Sequence, residues 1–112
     1  MKNAIHYTQE AQKDLDEIWD YIAHELSSVS AAAKTVDRIM NMIDTLADFP
    51  NIGAPLSSVA DRDSGYRFLV SGSYLIFYRT GGCDVYIDRV MYGRRAYLSA
   101  LFGKKLGDEE NA

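Results

Sequence analysis

The spacing of apolar and polar positions predicts two amphipathic helices in the first half of the chain. Thr8 precedes the first helix as its N-cap, Ser30 precedes the second, and Phe49-Pro50 ends it. Apolar residues recur three and four positions apart in both helices. The first stripe is Ala11, Leu15, Ile18, Trp19, Ile22 and Leu26, and the second is Ala32, Val36, Ile39, Met40, Ile43, Leu46 and Ala47. The short stretch 27–30 between the two helices predicts that they pack as an antiparallel hairpin.

The remainder of the chain has the pattern of a small β-sheet. Asn3 to Tyr7 is a short strand candidate, and the polar stretch 51–65, with Gly53 and Pro55, is predicted to be a loop. Gly72-Ser73 and Gly81-Gly82 suit two-residue hairpin turns that need positive φ. They separate three predicted strands of an antiparallel meander: Tyr66 to Ser71, Tyr74 to Thr80 and Asp84 to Tyr92.

Two-residue turns would fix the register of this meander. Ser71 then pairs with Tyr74, Thr80 with Cys83, Tyr74 with Arg89, and Arg67 with Tyr78. One face would hold Arg67, Leu69, Tyr74, Ile76, Tyr78, Val85, Ile87, Arg89 and Met91, and the other Phe68, Val70, Leu75, Phe77, Tyr86 and Val90. Both faces are apolar, so the helical hairpin covers one and another element or a partner covers part of the other. Of two neighbouring methionines, Met40 is expected in the core and Met42 at the surface.

These elements predict an α+β fold. It comprises an N-terminal strand, an antiparallel helical hairpin, a three-stranded antiparallel meander that the first strand joins in one antiparallel sheet, and a short C-terminal helix after Gly93. Residues 1–102 form the single expected domain, and residues 103–112 a polar, flexible tail.

Composition limits the classes of protein. The chain has 112 residues, 47% hydrophobic and 25% charged, with no apolar run of membrane-spanning length and no signal-peptide core. Its one cysteine, Cys83, has no partner for an internal disulfide, which fits a reducing compartment, so a cytoplasmic location is expected. His6 and His24 lack metal-ligand spacing, and no phosphate-binding glycine motif occurs, so neither a metal nor a cofactor is expected.

Charge is distributed unevenly along the chain. Residues 66–105 hold seven basic and two acidic residues, whereas residues 1–56 hold four basic and nine acidic ones. The net charge of −4 disfavours general nucleic-acid binding, so any anion site must be local. The cationic pair Arg94-Arg95 opens the predicted last helix, where its sign opposes the helix dipole, and this favours a contact function over a surface role.

The order of elements and several short motifs resemble the RelE/ParE family of bacterial toxin–antitoxin toxins over roughly residues 3–102. The most specific pieces are Gly72-Ser73-Tyr74, Ile76-Phe77-Tyr78 and Val90-Met91-Tyr92-Gly93-Arg94-Arg95. The resemblance implies a growth-inhibiting toxin that a cognate antitoxin neutralises by folding around it. Its assemblies would be a homodimer or a heterotetramer with the antitoxin.

The family divides into two branches with different chemistry. Ribosome-dependent mRNA endonucleases need cations and a proton-transfer group around the scissile phosphate, whereas ParE-like toxins bind DNA gyrase without catalysis. Here Leu69 and Leu75 stand where the nuclease branch implies Lys and Arg, Tyr92 replaces a His, and Ala96 an Asp. The resemblance therefore favours the ParE side. A degenerate toxin that survives as an antitoxin-binding protein is a further alternative.

Each branch implies its own site residues. The nuclease alternative would use Arg67, Arg89 and Arg95 for phosphate charge and Tyr92 for proton transfer. For the gyrase and antitoxin contacts of the first hypothesis, the candidate binding residues are Arg94, Arg95, Arg79, Tyr74 and Tyr78. Arg67, Arg79 and Arg89 could instead pair with Asp84 and Asp88 on the sheet.

Overall fold

The computed structural model describes residues 2–55 and 66–93. Two helices pack on one face of a five-stranded sheet. The helices are α1 (Gln9–Glu25) and α2 (Val29–Asp44), the latter continued by a 3-10 turn at Thr45–Ala47. The strands are β1 (Ala4–Tyr7), β2 (Ala54–Pro55), β3 (Tyr66–Ser71), β4 (Tyr74–Gly81) and β5 (Asp84–Tyr92). The predicted C-terminal helix and the tail lie outside the described residues.

Side-chain caps begin both helices. The Thr8 hydroxyl accepts a hydrogen bond from the Ala11 amide at 3.0 Å, as the sequence predicts. The second cap is Ser28 rather than Ser30, because the Ser28 hydroxyl accepts from the Ala31 amide at 3.0 Å and its backbone is extended. Ser27, at φ 49°, makes the turn between the helices, so α2 begins two residues earlier than predicted.

The sheet has the strand order β1-β5-β4-β3-β2 and is mixed. The β3–β4–β5 meander is antiparallel, as predicted, but β1 runs parallel to β5, in register from Ala4 with Asp84 to Tyr7 with Ile87. The expectation that the first strand joins an antiparallel sheet is therefore wrong. A helical hairpin, not a tight turn, follows β1, so no turn imposes an antiparallel orientation on it.

The second hairpin turn differs from its prediction by one residue. Ser71 pairs with Tyr74 as predicted, and Gly72 has φ +59°. In the next hairpin Gly81 pairs with Asp84, so the turn residues are Gly82, at φ +60°, and Cys83. Either glycine of Gly81-Gly82 could begin a two-residue turn. The structure uses Gly82, whose positive φ suits the first turn position.

A β-bulge in β5 shifts the register a second time. Tyr78 pairs with Ile87 but Phe77 pairs with Arg89, which leaves Asp88 as the extra residue. Tyr74 consequently lies opposite Tyr92 and not Arg89. The shift also returns Val90 to the core face, where it is 2% exposed, so its predicted placement on the opposite face is wrong.

The core lies between the helices and one face of the sheet. Most of the residues predicted for that face are confirmed there, since Ile76, Tyr78, Val85 and Ile87 are fully buried. The buried cluster comprises Ala11, Leu15, Ile39, Ile43, Leu46, Ile76, Tyr78, Val85, Ile87 and Val90. The assignment of the methionines is reversed, because Met40 is exposed and Met42 packs partly against the core.

The predicted loop 51–65 contains a strand that the sequence did not reveal. Ala54 pairs with Phe68 and Pro55 with Arg67, which makes β2 an edge strand of two residues. Such a position tolerates proline because an edge strand need not donate every backbone N–H. No helix within the described parts of the chain has the length and apolar character needed to cross a membrane.

Candidate functional site

A cleft of about 580 Å³ opens between α1 and the C-terminal end of β5. Four α1 side chains form one wall, and β4 and β5 form the other. The lining residues are Asp14, Glu17, Ile18, Tyr21, Tyr74, Arg89, Val90, Met91 and Tyr92. The volume falls within the usual range of ligand-binding clefts. Because the α1 residues are spaced three and four apart, one face of a single helix supplies that entire wall.

The Asp14 carboxylate joins the two walls of the cleft. One of its oxygens accepts hydrogen bonds from Arg89 Nε at 2.8 Å and from the Val90 amide at 2.9 Å, and the other accepts from an Arg89 terminal nitrogen at 3.0 Å. This two-point geometry is the strong form of an arginine–carboxylate pair. It holds α1 against β5 immediately after the bulge.

The ion pair also favours the charged form of Arg89. The hydrogen bond to Asp14 raises the pKa of the Arg89 guanidinium, burial opposes that shift, and the charges of Asp14, Glu10 and Asp88 add to it. Asp14 keeps only 12% of its side chain exposed, so its carboxylate is already committed to this contact. Arg89 is therefore a permanently charged group that is neutralised within the fold.

Three tyrosines surround the mouth of the cleft. The rings of Tyr74 and Tyr92 meet edge to face with their centroids 6.0 Å apart, as expected for cross-strand neighbours. Tyr92 is 57% exposed and Tyr21, on α1, is 64% exposed. Burial raises the pKa of Tyr74, and the neighbouring Tyr92 and Tyr21 add to the effect. Tyr74 is thus a neutral, partly buried ring with two exposed aromatic neighbours.

Arg67 and Tyr78 lie elsewhere, beneath the segment that leads into β2. The Tyr78 hydroxyl donates to the Pro50 carbonyl and accepts from the Gly53 amide, both at 2.9 Å. Arg67 donates to the carbonyls of Gly53 at 2.8 Å and Asn51 at 3.3 Å. Tyr78 is completely buried, so its predicted role as a surface binding residue does not fit the structure, and it anchors this segment instead.

Arg79 packs on the face of the sheet that the helices leave uncovered. Its guanidinium lies 4.5 Å from the centre of the Tyr86 ring, an arrangement typical of a cation–π contact. His6, from β1, stacks on the same ring at 5.1 Å and pairs with Asp84 at 2.9 Å. Neither Arg67 nor Arg89 makes the predicted pairing with Asp84 or Asp88; their partners are backbone carbonyls and Asp14.

The structure brings together only part of the predicted site. Tyr74, Arg89 and Tyr92 meet at the cleft, whereas Arg67, Tyr78 and Arg79 are held in other places. Arg94 and Arg95 lie outside the described residues. Sequence reasoning missed the other cleft residues, among them the three polar α1 side chains Asp14, Glu17 and Tyr21. Their spacing of three and four on one face of α1 was a signal, but the same face reads as an ordinary solvated surface.

The chemistry available at the cleft is that of contact, not of metal binding. Within residues 2–55 and 66–93, no three His, Cys, Asp or Glu side chains are grouped as a metal site would require. The same described ranges contain no ion-pair partner for Glu17, so its carboxylate faces the cleft uncompensated. Aromatic rings, one free carboxylate and one neutralised guanidinium are the groups presented to a ligand.

Comparison with known proteins identifies relatives of this chain. Residues 5–97 match the family model described as the ParE toxin of the type II toxin–antitoxin system parDE. The chain is 34% identical over 94 residues to Toxin ParE1 of Caulobacter vibrioides, which covers 81% of this chain and 93% of the relative. It is also 34% identical over 85 residues to Toxin ParE1 of Mycobacterium tuberculosis, covering 75% and 83% respectively.

Solved structures give the same result at the level of the fold. A chain of the chromosomal ParDE TA system from P. aeruginosa aligns with a TM-score of 0.68 and 26% identity over 81% of this chain and 96% of that one. A chain of the RelBE2 toxin–antitoxin complex from Mycobacterium tuberculosis aligns with a TM-score of 0.53 over 82% and 99%, at 22% identity. The second similarity shows a shared fold alone.

Proposed function

Because the chain belongs to the ParE toxin family of type II toxin–antitoxin systems, we propose that it inhibits growth by binding DNA gyrase and has no catalytic activity of its own. A cognate antitoxin neutralises it in the cytoplasm. The proposal for a partner is supported by the solved relative from P. aeruginosa, which is a chain of a ParDE TA system. A homodimer or a heterotetramer with the antitoxin is the proposed assembly.

The observation that carries the non-catalytic proposal is that two of the candidate catalytic arginines are already engaged. Arg67 is bonded to two backbone carbonyls and Arg89 to the Asp14 carboxylate. Cleavage of RNA requires cations that are free to stabilise charge developing on the phosphate, and loss of such a group typically slows a reaction by about 10²–10³-fold. These contacts use Nη1 of Arg67 and two nitrogens of Arg89, so they fix both guanidiniums in place and leave fewer donors for a phosphate.

The neighbouring strand positions strengthen this proposal. Leu69 and Leu75 are apolar and carry no charge to a phosphate, and Leu69 packs partly against the core. At the cleft, Asp14 pairs with Arg89, and the Glu17 carboxylate adds negative charge that no described residue neutralises through an ion pair. Anionic groups near a polyanion raise the cost of its approach. The site is therefore better suited to a protein surface than to an RNA strand.

One observation favours the ribosome-dependent mRNA endonuclease as a second candidate. Tyr92, which that reading makes the proton-transfer group, ends β5 with 57% of its surface exposed and lies beside Tyr74 at the cleft. A phenol in this position is accessible to a nucleotide and could stack on a base. Catalysis would then depend on Arg95, which lies outside the described residues, and on release of Arg89 from Asp14.

Induction of the chain in a bacterial cell without antitoxin tests the proposal. DNA, RNA and protein synthesis are followed separately by pulse labelling, together with a reporter of the DNA-damage response. Gyrase inhibition predicts that DNA synthesis stops first and the damage reporter rises. Prompt arrest of translation, with messages cut within codons, would contradict it and favour the nuclease. Soluble expression without any effect on growth would instead support a degenerate toxin.

A matched pair of variants links that readout to the proposed contact residues. Arg94→Ala with Arg95→Ala is expected to abolish toxicity while the thermal midpoint stays nearly unchanged, because both side chains are proposed to contact the target. Lys2→Ala, an exposed cation at the other end of the chain, serves as the control for loss of positive charge. A large fall in the midpoint of the double variant would show that the two arginines stabilise the fold.

A further inference from the structure

The charge of the cleft is the reverse of that expected from the basic second half of the sequence. Among residues 2–55 and 66–93, those that line its walls carry two carboxylates, Asp14 and Glu17, and one cation, Arg89. Asp14 already neutralises Arg89 through two hydrogen bonds, and Glu10 and Asp88 also act on the same guanidinium. The Glu17 carboxylate forms no ion pair with any described residue, so its charge is not neutralised in this way. A ligand entering the cleft meets net negative charge.

Aromatic rings lie around that unpaired carboxylate. Tyr21, Tyr74 and Tyr92 all line the cleft, and two of them are more than half exposed. Large exposed rings gathered at a concave site are unusual on a free monomer and mark a contact surface. Ring faces attract cations, and the attraction is largest where a carboxylate and low water access support it.

From this arrangement we propose that the cleft binds the side chain of an arginine or lysine presented by a segment of a protein partner. Glu17 accepts the hydrogen bonds of the cation, and the rings of Tyr21, Tyr74 and Tyr92 enclose its charged end and alkyl stem. The inference rests on the proposed function in one respect, namely that the site serves protein binding and not catalysis. A phosphate-bearing partner is disfavoured because the Glu17 carboxylate, which Arg89 does not neutralise, repels it.

A pair of small probes isolates the role of charge. Nα-acetyl-L-arginine amide and Nα-acetyl-L-citrulline amide have nearly the same shape, but only the arginine compound is a cation. Each is titrated into the full chain, and binding is followed through the side-chain NMR signals of Glu17, Tyr21, Tyr74 and Tyr92. We expect the arginine compound to shift these signals with an affinity at least about fivefold higher than that of the citrulline compound. Equal affinities would overturn the proposal.

Matched variants on one helix test the residue assignment. Glu17→Gln removes the cleft carboxylate and is expected to lower the affinity for the arginine probe at least about threefold. Asp16→Asn removes the same charge from a neighbouring exposed position that does not line the cleft and should leave the affinity unchanged. An equal loss in both variants would show general attraction by an acidic helix and would contradict a specific site. Tyr92→Ala should weaken binding while the amide spectrum stays folded.

Two controls distinguish a partner from other occupants. Tighter probe binding by the double variant Lys104→Ala, Lys105→Ala would show that cations of this chain compete for the cleft, which would overturn the assignment to a partner. A fall in molecular mass during the titration would show that a second copy of the chain occupied it, with the same consequence. None of these measurements involves gyrase. If the probe binds but the chain does not inhibit gyrase in a separate assay, the proposed function is contradicted and the cation site is still supported.

Discussion

Two regions of this molecule use arginine and tyrosine for opposite purposes. Under β2, the Tyr78 hydroxyl and the Arg67 guanidinium satisfy backbone groups of residues 50–53, and the Tyr78 ring is fully buried. At the cleft, Arg89 is neutralised by Asp14, yet Tyr74 and Tyr92 keep their rings accessible. Residue type alone does not distinguish them. The difference lies in whether each side chain's bonding capacity is used inside the fold.

The contrast explains why a list of basic and aromatic strand residues overestimates a catalytic site. Hydrogen bonds to charged groups contribute more than neutral ones, and leaving a buried partner unsatisfied costs about 1–3 kcal/mol. Both of these bonds of Arg67 come from Nη1, so they fix the orientation of its guanidinium and limit its contact with a phosphate to the remaining donors. Exposed rings such as Tyr92 lose no bonds when a partner covers them. The cleft is the region where binding requires the least rearrangement.

The largest expected effect concerns the structural region. Gly53→Ala places a Cβ 2.6 Å from the Tyr78 hydroxyl and 2.8 Å from the Phe68 carbonyl oxygen, and neither the buried ring nor the paired strand can move freely. We expect a loss of about 3 kcal/mol in the free energy of unfolding, measured by urea denaturation. Gly72→Ala is the matched control, because a Cβ there meets no atom within 4 Å and only the positive φ opposes it. Equal losses in the two variants would contradict the packing explanation.

The second-largest expected loss of stability concerns the Asp14 contacts that hold α1 against β5 at the cleft. Asp14→Ala leaves the Val90 amide and the Arg89 guanidinium without their acceptor. A fully buried broken pair costs about 3–5 kcal/mol, and the partial exposure of Arg89 reduces the expected loss to about 2 kcal/mol. Asp16→Ala on the same helix should change the free energy of unfolding by less than about 0.5 kcal/mol. A loss no larger than that control's would show that the Asp14 contact does not stabilise the fold.

Alkaline pH should reveal the contribution of the buried Tyr78 hydroxyl in the structural region. Burial raises the pKa of Tyr78, with Gly53 and Arg67 acting in the opposite direction. A raised folded-state pKa means that the unfolded chain releases the proton first. Stability is therefore fully present below the unfolded pKa of about 10 and is lost as pH rises above it. In thermal melts from pH 8 to pH 11, Tyr78→Phe should show a shallower fall than the parent chain; an unchanged slope would refute this linkage.

The smallest stability effect belongs to the cleft rings. Tyr92→Ala removes an exposed side chain whose main contact is one edge-to-face pair with Tyr74. We expect the free energy of unfolding to fall by about 0.5–1.5 kcal/mol. We expect toxicity to be largely lost, although the chain stays folded. Val70→Ala, an equally exposed apolar truncation on β3, is the control for stability. Full toxicity in a folded Tyr92→Ala chain would remove this ring from the proposed contact surface.

Elements with strong local signals could be predicted from the sequence. The meander strands β3 and β5 begin and end at the predicted residues because glycine pairs mark the turns between apolar runs. The Thr8 cap and the helical stripes follow from equally local rules. The family also emerged from the sequence, because several motifs occur together in one order and spacing.

Features that depend on contacts between distant residues could not be predicted. No glycine or proline at or beside Asp88 marks the bulge in the sequence. The Asp14 carboxylate stabilises the bulge by accepting a hydrogen bond from the Val90 amide, which lies 76 residues away in the chain. The bulge shifts the pairing by one residue, which brings Val90 into the core, and together with the shifted hairpin turn it moves Tyr74 from Arg89 to Tyr92. The partners of Arg67 and Tyr78 belong to a segment without recognisable periodicity. The composition of the cleft follows from these long-range contacts.

Purified gyrase provides the most direct test of the non-catalytic claim. The chain is added to a DNA supercoiling reaction, and in parallel to ribosomes translating a defined message, at matched concentrations. We expect supercoiling to be inhibited, inhibition to be relieved by the cognate antitoxin, and the message to stay intact. A cut message, together with supercoiling that proceeds at its normal rate, would contradict the proposal that this chain acts by binding alone.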